Sequence, residues 1–336
     1  MRFKSLAALG IASFLCLALA AQENSPDRDA YVKMSSDIRK AETIENKLAI
    51  ARDFIIRFPD SQYTGNAIGN AVYILSRADN PVEKSLEFIG SVESKLSDTK
   101  ILMQVKREKA KLYGSGGRVG DLKNIAKEMS ASGSMDYIDI LTLGRAAVQC
   151  EAWDLALESF DGSLKFATRE AIVPPGEKAD PYWTEANILK SIRLRRSISL
   201  SGKGWALVKL GRVEEGLVCF SAAEKERHVT YLGIPKGMLN IYWARTLLEM
   251  KDYDGAIEKL GLGAVFKGDK ESLDLMLQAY EGKTSGKEGF DDFLWRMRLD
   301  LAKPIDDVAF RNYEGNEFRL SSLRGKVVLL NFWYPT

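Results

Sequence analysis

Three stretches of the chain carry one spacing of small and apolar positions. Gly144 is followed by Trp153, Ala156, Leu157 and Phe160, Gly204 by Val213, Gly216, Leu217 and Phe220, and Ala244 by Tyr253, Ala256, Ile257 and Leu260. A small residue is thus followed twelve positions on by another, and four further on by a bulky apolar one. The later apolar positions fall at i, i+3, i+4 and i+7, one face of a 3.6-residue helix. Short turns at Cys150-Glu151-Ala152, Gly211-Arg212 and Lys251-Asp252 precede them, so each stretch predicts an antiparallel helical hairpin. Two such helices approach closely only where neither carries a large side chain. The small pair marks that contact, and the bulky residue one turn on fills the groove beside it.

Weaker segments repeat the theme. Leu48 to Phe58 predicts a helix stopped by Pro59, with Asp60 and Ser61 placed to cap the next. Gln62 to Ser76 and Val82 to Leu96 form a pair broken at Asp79-Asn80-Pro81. Lys100 to Tyr113 and Leu122 to Met129 flank Gly114-Ser115-Gly116-Gly117, and Leu273 to Tyr280 pairs with Phe290 to Leu301. The fold expected for residues 26–301 is mostly α, an α-solenoid of about six hairpins in series.

The spacing resembles the tetratricopeptide repeat (TPR), whose small positions fall on Gly144/Ala156, Gly204/Gly216 and Ala244/Ala256 and whose later aromatic falls on Phe160 and Phe220. The usual proline after the second helix is missing. The repeats are also spaced 60 (156 to 216) and 40 (216 to 256) positions apart, against a family period of about 34. A loop from Val173-Pro174-Pro175-Gly176 to Asp180-Pro181 accounts for the longer gap, so the match is to TPR-like hairpins, not a regular array. The resemblance implies a protein or peptide partner on a concave face lined by the first helix of each pair. The candidate partner-binding residues there are Arg145, Gln149, Trp205, Lys209, Arg245 and Glu249. The structural alternative is that Trp205 packs and that both arginines lie on a solvated face.

The pattern changes after Lys303-Pro304. Val308-Ala309-Phe310 and Glu317-Phe318-Arg319-Leu320 predict a hairpin around Tyr313-Glu314-Gly315-Asn316. Ser321 to Arg324 predict a turn or helical stub closed by Gly325. Lys326 to Trp333 is a continuous apolar, β-rich run of the kind covered on both faces in a central sheet. Phe310, Gly315, Leu320, Leu323, Gly325, Lys326, Val327, Val328, Asn331, Phe332 and Trp333 together resemble the opening of the periplasmic thioredoxin-like proteins of the TlpA/ResA (redoxin) type, over about a tenth of the chain. In that family the strand leads through a loop to a helix bearing Cys-x-x-Cys, whose first thiolate is stabilised by the helix N-terminus and whose second cysteine resolves the mixed disulfide. The loop would hold Trp333, Tyr334, Pro335 and Thr336, with the first cysteine next, so the catalytic residues are expected immediately after Thr336 and none is in this chain. Residues 304–336 then read as the N-terminal fragment of an incomplete thioredoxin-like fold, below the ~40 residues that usually fold unaided. One expectation is a UGA codon after Thr336 read as selenocysteine. A frameshift, an artificial boundary and a pseudogene are its rivals, and the nucleotides that follow decide among them.

The N-terminus adds an address. Arg2 and Lys4 precede an apolar run from Leu6 to Leu19, shorter than the ~20 residues of a bilayer span. Ala18-Leu19-Ala20 places small residues where a signal peptidase reads, so residues 1–20 read as a signal peptide. Phe14-Leu15 before Cys16 argues against a lipid anchor. Its removal takes the formal net charge from +2 to zero and leaves Cys150 and Cys219. An exported protein, periplasmic or extracellular, is expected, with no stable membrane span after cleavage.

Charge and composition narrow the chemistry. Lys+Arg number 48 and Asp+Glu 46, which gives no basic field for nucleic acid. The single histidine, His228, excludes histidine-based metal clusters and most triads, and three cysteines exclude a disulfide framework. The Gly114 to Gly120 stretch lacks the Gly-Lys-Ser/Thr of a phosphate loop. Lys190, Arg193, Arg195 and Arg196 read as a solvated helix face. Cys150 and Cys219 read as buried free thiols, a disulfide between them being the alternative. No cofactor is expected, since dithiol exchange uses none. The resulting expectation is an exported thiol–disulfide oxidoreductase, or peroxide-reducing redoxin, with a TPR-like region that recruits a disulfide-bearing client. Its catalytic part is missing, so this chain would be inactive. The alternatives are a non-catalytic secreted TPR-like scaffold and a periplasmic assembly factor acting through Arg145, Trp205 and Arg245.

Overall fold

The computed structural model describes residues 25–173, 183–227, 238–302, 306–312 and 314–326. The expected signal peptide, the proline loop after Val173, His228 and the apolar strand with its Trp333–Thr336 loop lie outside the described residues. The chain divides into two compact units, one through Thr246 and one from Leu247.

The first unit is built of helices in series: α1 (Pro26–Lys40), α2 (Ile44–Arg57), α3 (Thr64–Leu75), α4 (Pro81–Glu93), α5 (Thr99–Ser115), α6 (Val119–Ala131), α7 (Tyr137–Gln149) and α8 (Trp153–Ser163). A 3-10 turn over Leu164–Phe166, α9 (Glu185–Lys209), α10 (Val213–Glu226) and most of α11 (Leu239–Glu249) complete it. From α1 to α10 each helix packs on the next. In addition α3 packs on α5, α5 on α7 and α7 on α9, so successive hairpins stack and the unit is a TPR-like α-solenoid. The helix starts follow local chemistry. Thr43, Asp98 and Thr184 accept from backbone N–H groups of the first turn, and Asp136 and Asp139 form a reciprocal capping box at α7. α1, which the apolar spacing did not single out, is held through Tyr31 stacked on Tyr63 at 4.9 Å and edge-on to Phe54.

One turn recurs between hairpin helices. The N–H groups of Arg118, Ala152, Arg212 and Asp252 donate to the carbonyls of Tyr113, Ala147, Leu207 and Leu247 at 2.8–2.9 Å. The residue before each, Gly117, Glu151, Gly211 or Lys251, holds a positive φ of 59–81°. This is the six-to-one closure of a helix through a left-handed residue. Positions 113 and 147 are 34 apart, a full TPR period, so α5–α6 belongs to the same series as α7–α8. Its spacing hid this, because Leu122 stands where Ala156 and Gly216 stand later.

The cores run along the stack. Ile55, Ile68, Ile89 and Val92 lie within α2–α4, Leu122, Met129, Ala147 and Phe160 within α6–α8, and Trp205, Phe220 and Leu239 within α9–α11. Glycines set the close approaches: a Cβ on Gly204 would lie 2.9 Å from the Gly216 carbonyl oxygen and 2.7 Å from the Phe220 ring. The small-pair-plus-bulky reading of that hairpin is therefore met atom for atom.

In the second unit, α12 (Tyr253–Leu262) runs through a π-helical turn (Gly263–Lys267) and packs on α13 (Lys270–Thr284). α14 (Phe290–Leu301) packs on that turn, where the Arg298 guanidinium donates twice to the Val265 carbonyl, at 2.7 and 3.1 Å. α13 thus packs on α12, and it also meets α14, the expected partner, through Tyr280 against Phe290 and Phe293. β1 (Ala309–Arg311) and β2 (Glu317–Arg319) pair antiparallel with Phe310 opposite Phe318. A 3-10 turn (Leu320–Leu323) follows, and Gly325 has φ +80°. Among the described residues no helix is long and apolar enough to cross a membrane, and no cluster of His, Cys, Asp and Glu is placed to hold a metal ion.

Candidate functional site

Of the residues expected to meet a partner, Arg145 and Gln149 lie one turn apart on the exposed face of α7. Lys209 is exposed at the end of α9 with its ammonium 4.9 Å from the centre of the Trp205 ring. Arg245 and Glu249 are exposed on α11, the latter in the second unit. Trp205 differs. It is 5% exposed, stacked on Tyr242 at 5.3 Å and edge-on to Trp153 at 6.3 Å. Its indole is packing that joins α8, α9 and α11, and the surface at this position is Lys209.

The basic run on α9 also divides. Lys190, Arg193 and Arg196 are exposed, and the two arginines pair with Glu226 of α10. Arg195, read as solvated, is instead half-buried. Its guanidinium lies 4.7 Å from the Tyr137 ring and donates to the carbonyls of Phe166 and Ala171 at 2.8 and 3.3 Å. Burial lowers its pKa. A guanidinium stem carries enough apolar surface to be drawn inward when carbonyls and an aromatic face replace its water.

α9 is held to its neighbours by hydroxyls that apolar periodicity does not register. Ser199 bonds Ser163 at 2.6 Å, and Ser163 also donates to the Phe160 carbonyl at 2.7 Å. Ser197 donates to the Ala223 carbonyl at 3.0 Å. Each buried hydroxyl is thereby satisfied, as a desolvated donor must be. Cys150 and Cys219 are both free, in different hairpins, and burial raises both thiol pKa values. Raised values leave less thiolate at neutral pH, the opposite of a reactive redox cysteine.

Among the described residues, one concavity involves none of the residues expected to meet a partner. A groove of about 710 Å³ opens between α6 and α8. Both helices pack on α7, and α7 supplies Ile140 and Leu143 to the lining. Lys123 and Lys127 stand on the α6 wall, Asp154 and Glu158 on the α8 wall, and all four are exposed. A groove of the same volume lies one hairpin on, lined by Leu164, Leu200, Leu217 and Val218, with Val218 69% exposed. Sequence did hold one signal for the first groove. Lys123/Lys127 and Asp154/Glu158 are like-charged pairs at i, i+4, which weaken an isolated helix by about 0.2–0.5 kcal/mol each.

No protein-family model matches the chain, and no curated protein does. Among solved structures, the crystal structure of a tetratricopeptide repeat protein from Parabacteroides merdae ATCC 43184 is similar over 76% of this chain and 98% of that chain, at 11% identity and a TM-score of 0.34.

Proposed function

We propose that the helical region is a protein-binding scaffold. The observation that carries this reading is the pair of grooves one hairpin apart, each combining apolar lining with charged rims on a stack of rigid helices. Such surfaces suit peptide or protein docking, because the apolar part supplies affinity and the charged rim supplies orientation. Arg145, Gln149, Lys209, Arg245 and Glu249 are a second, polar set of contacts on the first helices of the pairs. The test is a peptide-display selection on the full chain. Binders sharing one consensus, and lost on substitution in a groove or at Arg145, are expected. Failure to enrich any consensus over repeated selections would sink the reading.

A second reading keeps the redoxin resemblance, with export and thiol–disulfide exchange on a disulfide-bearing client. Its support is the β1–β2 hairpin with Phe310 stacked on Phe318 at 5.6 Å, followed by the turn closed at Gly325. The reacting Cys-x-x-Cys, or its selenocysteine form, would then be encoded after Thr336. Reading the nucleotides downstream of that codon tests it, and a frame without a downstream cysteine removes it. N-terminal sequencing of protein recovered outside the cytoplasm tests export, with Ala21 as the expected first residue.

A further inference from the structure

We propose that the α6–α8 groove seats an amphipathic helix of a partner protein, with acidic residues along one flank of its apolar stripe and basic residues along the other. This rests on the protein-binding reading and specifies the partner.

Four charges carry the argument. Lys123 and Lys127 on one wall, and Asp154 and Glu158 on the other, have no ion-pair partner among the described residues. Their signs are opposite, and among the described residues no ion pair joins one wall to the other. Other charges on the same helices are paired: Lys106 with Glu128, Arg118 with Asp121, and Lys203 with Asp161. These four charges line the groove, cations on one wall and carboxylates on the other. An occupant lying between the walls would meet lysines on one side and carboxylates on the other. It would cover the apolar lining from Ile140, Leu143 and Leu155. Lys165, at the far end of the α8 wall, would meet an acidic terminal turn.

The occupant is a helix for a backbone reason. The walls are helices whose own peptide groups are already paired along their length, so they offer no ladder to an extended strand. A strand pressed on the apolar lining would leave N–H and C=O groups desolvated and unpaired, whereas a helix satisfies its own. Opposite charge on the two walls then fixes which way the helix runs, since reversing it places like charges together.

The test uses the full chain and a labelled synthetic peptide of about 18 residues, five turns of helix. The peptide carries an apolar stripe flanked by glutamates on one side and lysines on the other, and binding is read by fluorescence anisotropy. Saturable binding is expected, weakened about tenfold or more in the Lys123→Glu/Lys127→Glu double variant. A peptide with lysines on both flanks should restore binding to that variant, a rescue that a misfolded protein would not show. A proline at the centre of the peptide should abolish binding. No saturable binding, insensitivity to the double reversal, or equal binding of the proline peptide overturns the proposal. Display-selected peptides lost on Arg145→Ala but untouched by the double reversal would leave the scaffold reading standing and reject this groove. A selection that also finds nothing would remove both.

Discussion

The ring of Phe160 on α8 presses on Gly202 of α9 so closely that a Cβ added to the glycine would lie 2.4 Å from it. Phe160 is 2% exposed, and the same ring edge would lie 3.1 Å from a Cβ on Gly144 of α7. One aromatic thus joins a hairpin to the first helix of the next. Gly202→Ala should cost about 1–3 kcal/mol, the range for overpacking a filled core. Combining it with Phe160→Leu should recover part of the loss, because the residues touch. Urea unfolding of both single variants and the double variant measures this, and strict additivity would contradict the contact.

The start of α7 is tied to α5 through charge. Arg107 pairs with Asp139, whose side chain is 1% exposed, and with Asp136 at 3.4 Å. Burial raises the Asp139 pKa, outweighing its hydrogen bonds from the Asp136 N–H and from Arg107. A raised carboxyl pKa means that the folded state holds the proton more tightly than the unfolded chain. This group therefore favours folding most below the ordinary carboxylate value, and that contribution is lost as pH rises through the folded pKa. Arg107→Met leaves the carboxylate uncompensated and should cost about 2 kcal/mol at pH 7, less than for a fully buried pair because Arg107 is partly exposed. The deficit should shrink as pH is lowered from 7 toward 4, because a protonated Asp139 no longer needs the guanidinium. Denaturant midpoints at the two pH values check the sign.

Glu151 stands in the left-handed region, at φ 59°, in the turn position that Gly117 and Gly211 fill elsewhere. A side chain there is strained and glycine is not. Glu151→Gly should raise stability by about 0.5–1 kcal/mol, net of the extra freedom glycine gives the unfolded chain. A melting temperature unchanged or lowered would show that the glutamate holds its turn by other means.

Trp205 and Arg145 should separate cleanly. Trp205→Ala removes a buried indole from between Trp153 and Tyr242 and should cost about 3–5 kcal/mol. Arg145→Ala, on the exposed face, should stay within about 0.5 kcal/mol. Thermal melts of the two variants measure the difference. Only the arginine variant is then fit for a binding assay.

The chain's local patterns determined its helices, its hairpin turns and most of its packed faces. Spacing of i, i+3, i+4 and i+7 and a left-handed closing residue act within a few residues and need no distant partner. Phe290 to Leu301 and the Cys150-Glu151-Ala152 turn were legible for that reason. Tertiary structure decided what depends on distances between remote segments. It drew Arg195 inward onto Tyr137 and two carbonyls, and it set α5–α6 in the repeat although Leu122 breaks the small-residue pattern. It also set Lys123 and Lys127 on one wall of the groove and Asp154 and Glu158 on the other. Burial and ion pairing are properties of the space between helices, and the width of that space follows from how α6 and α8 each seat on α7.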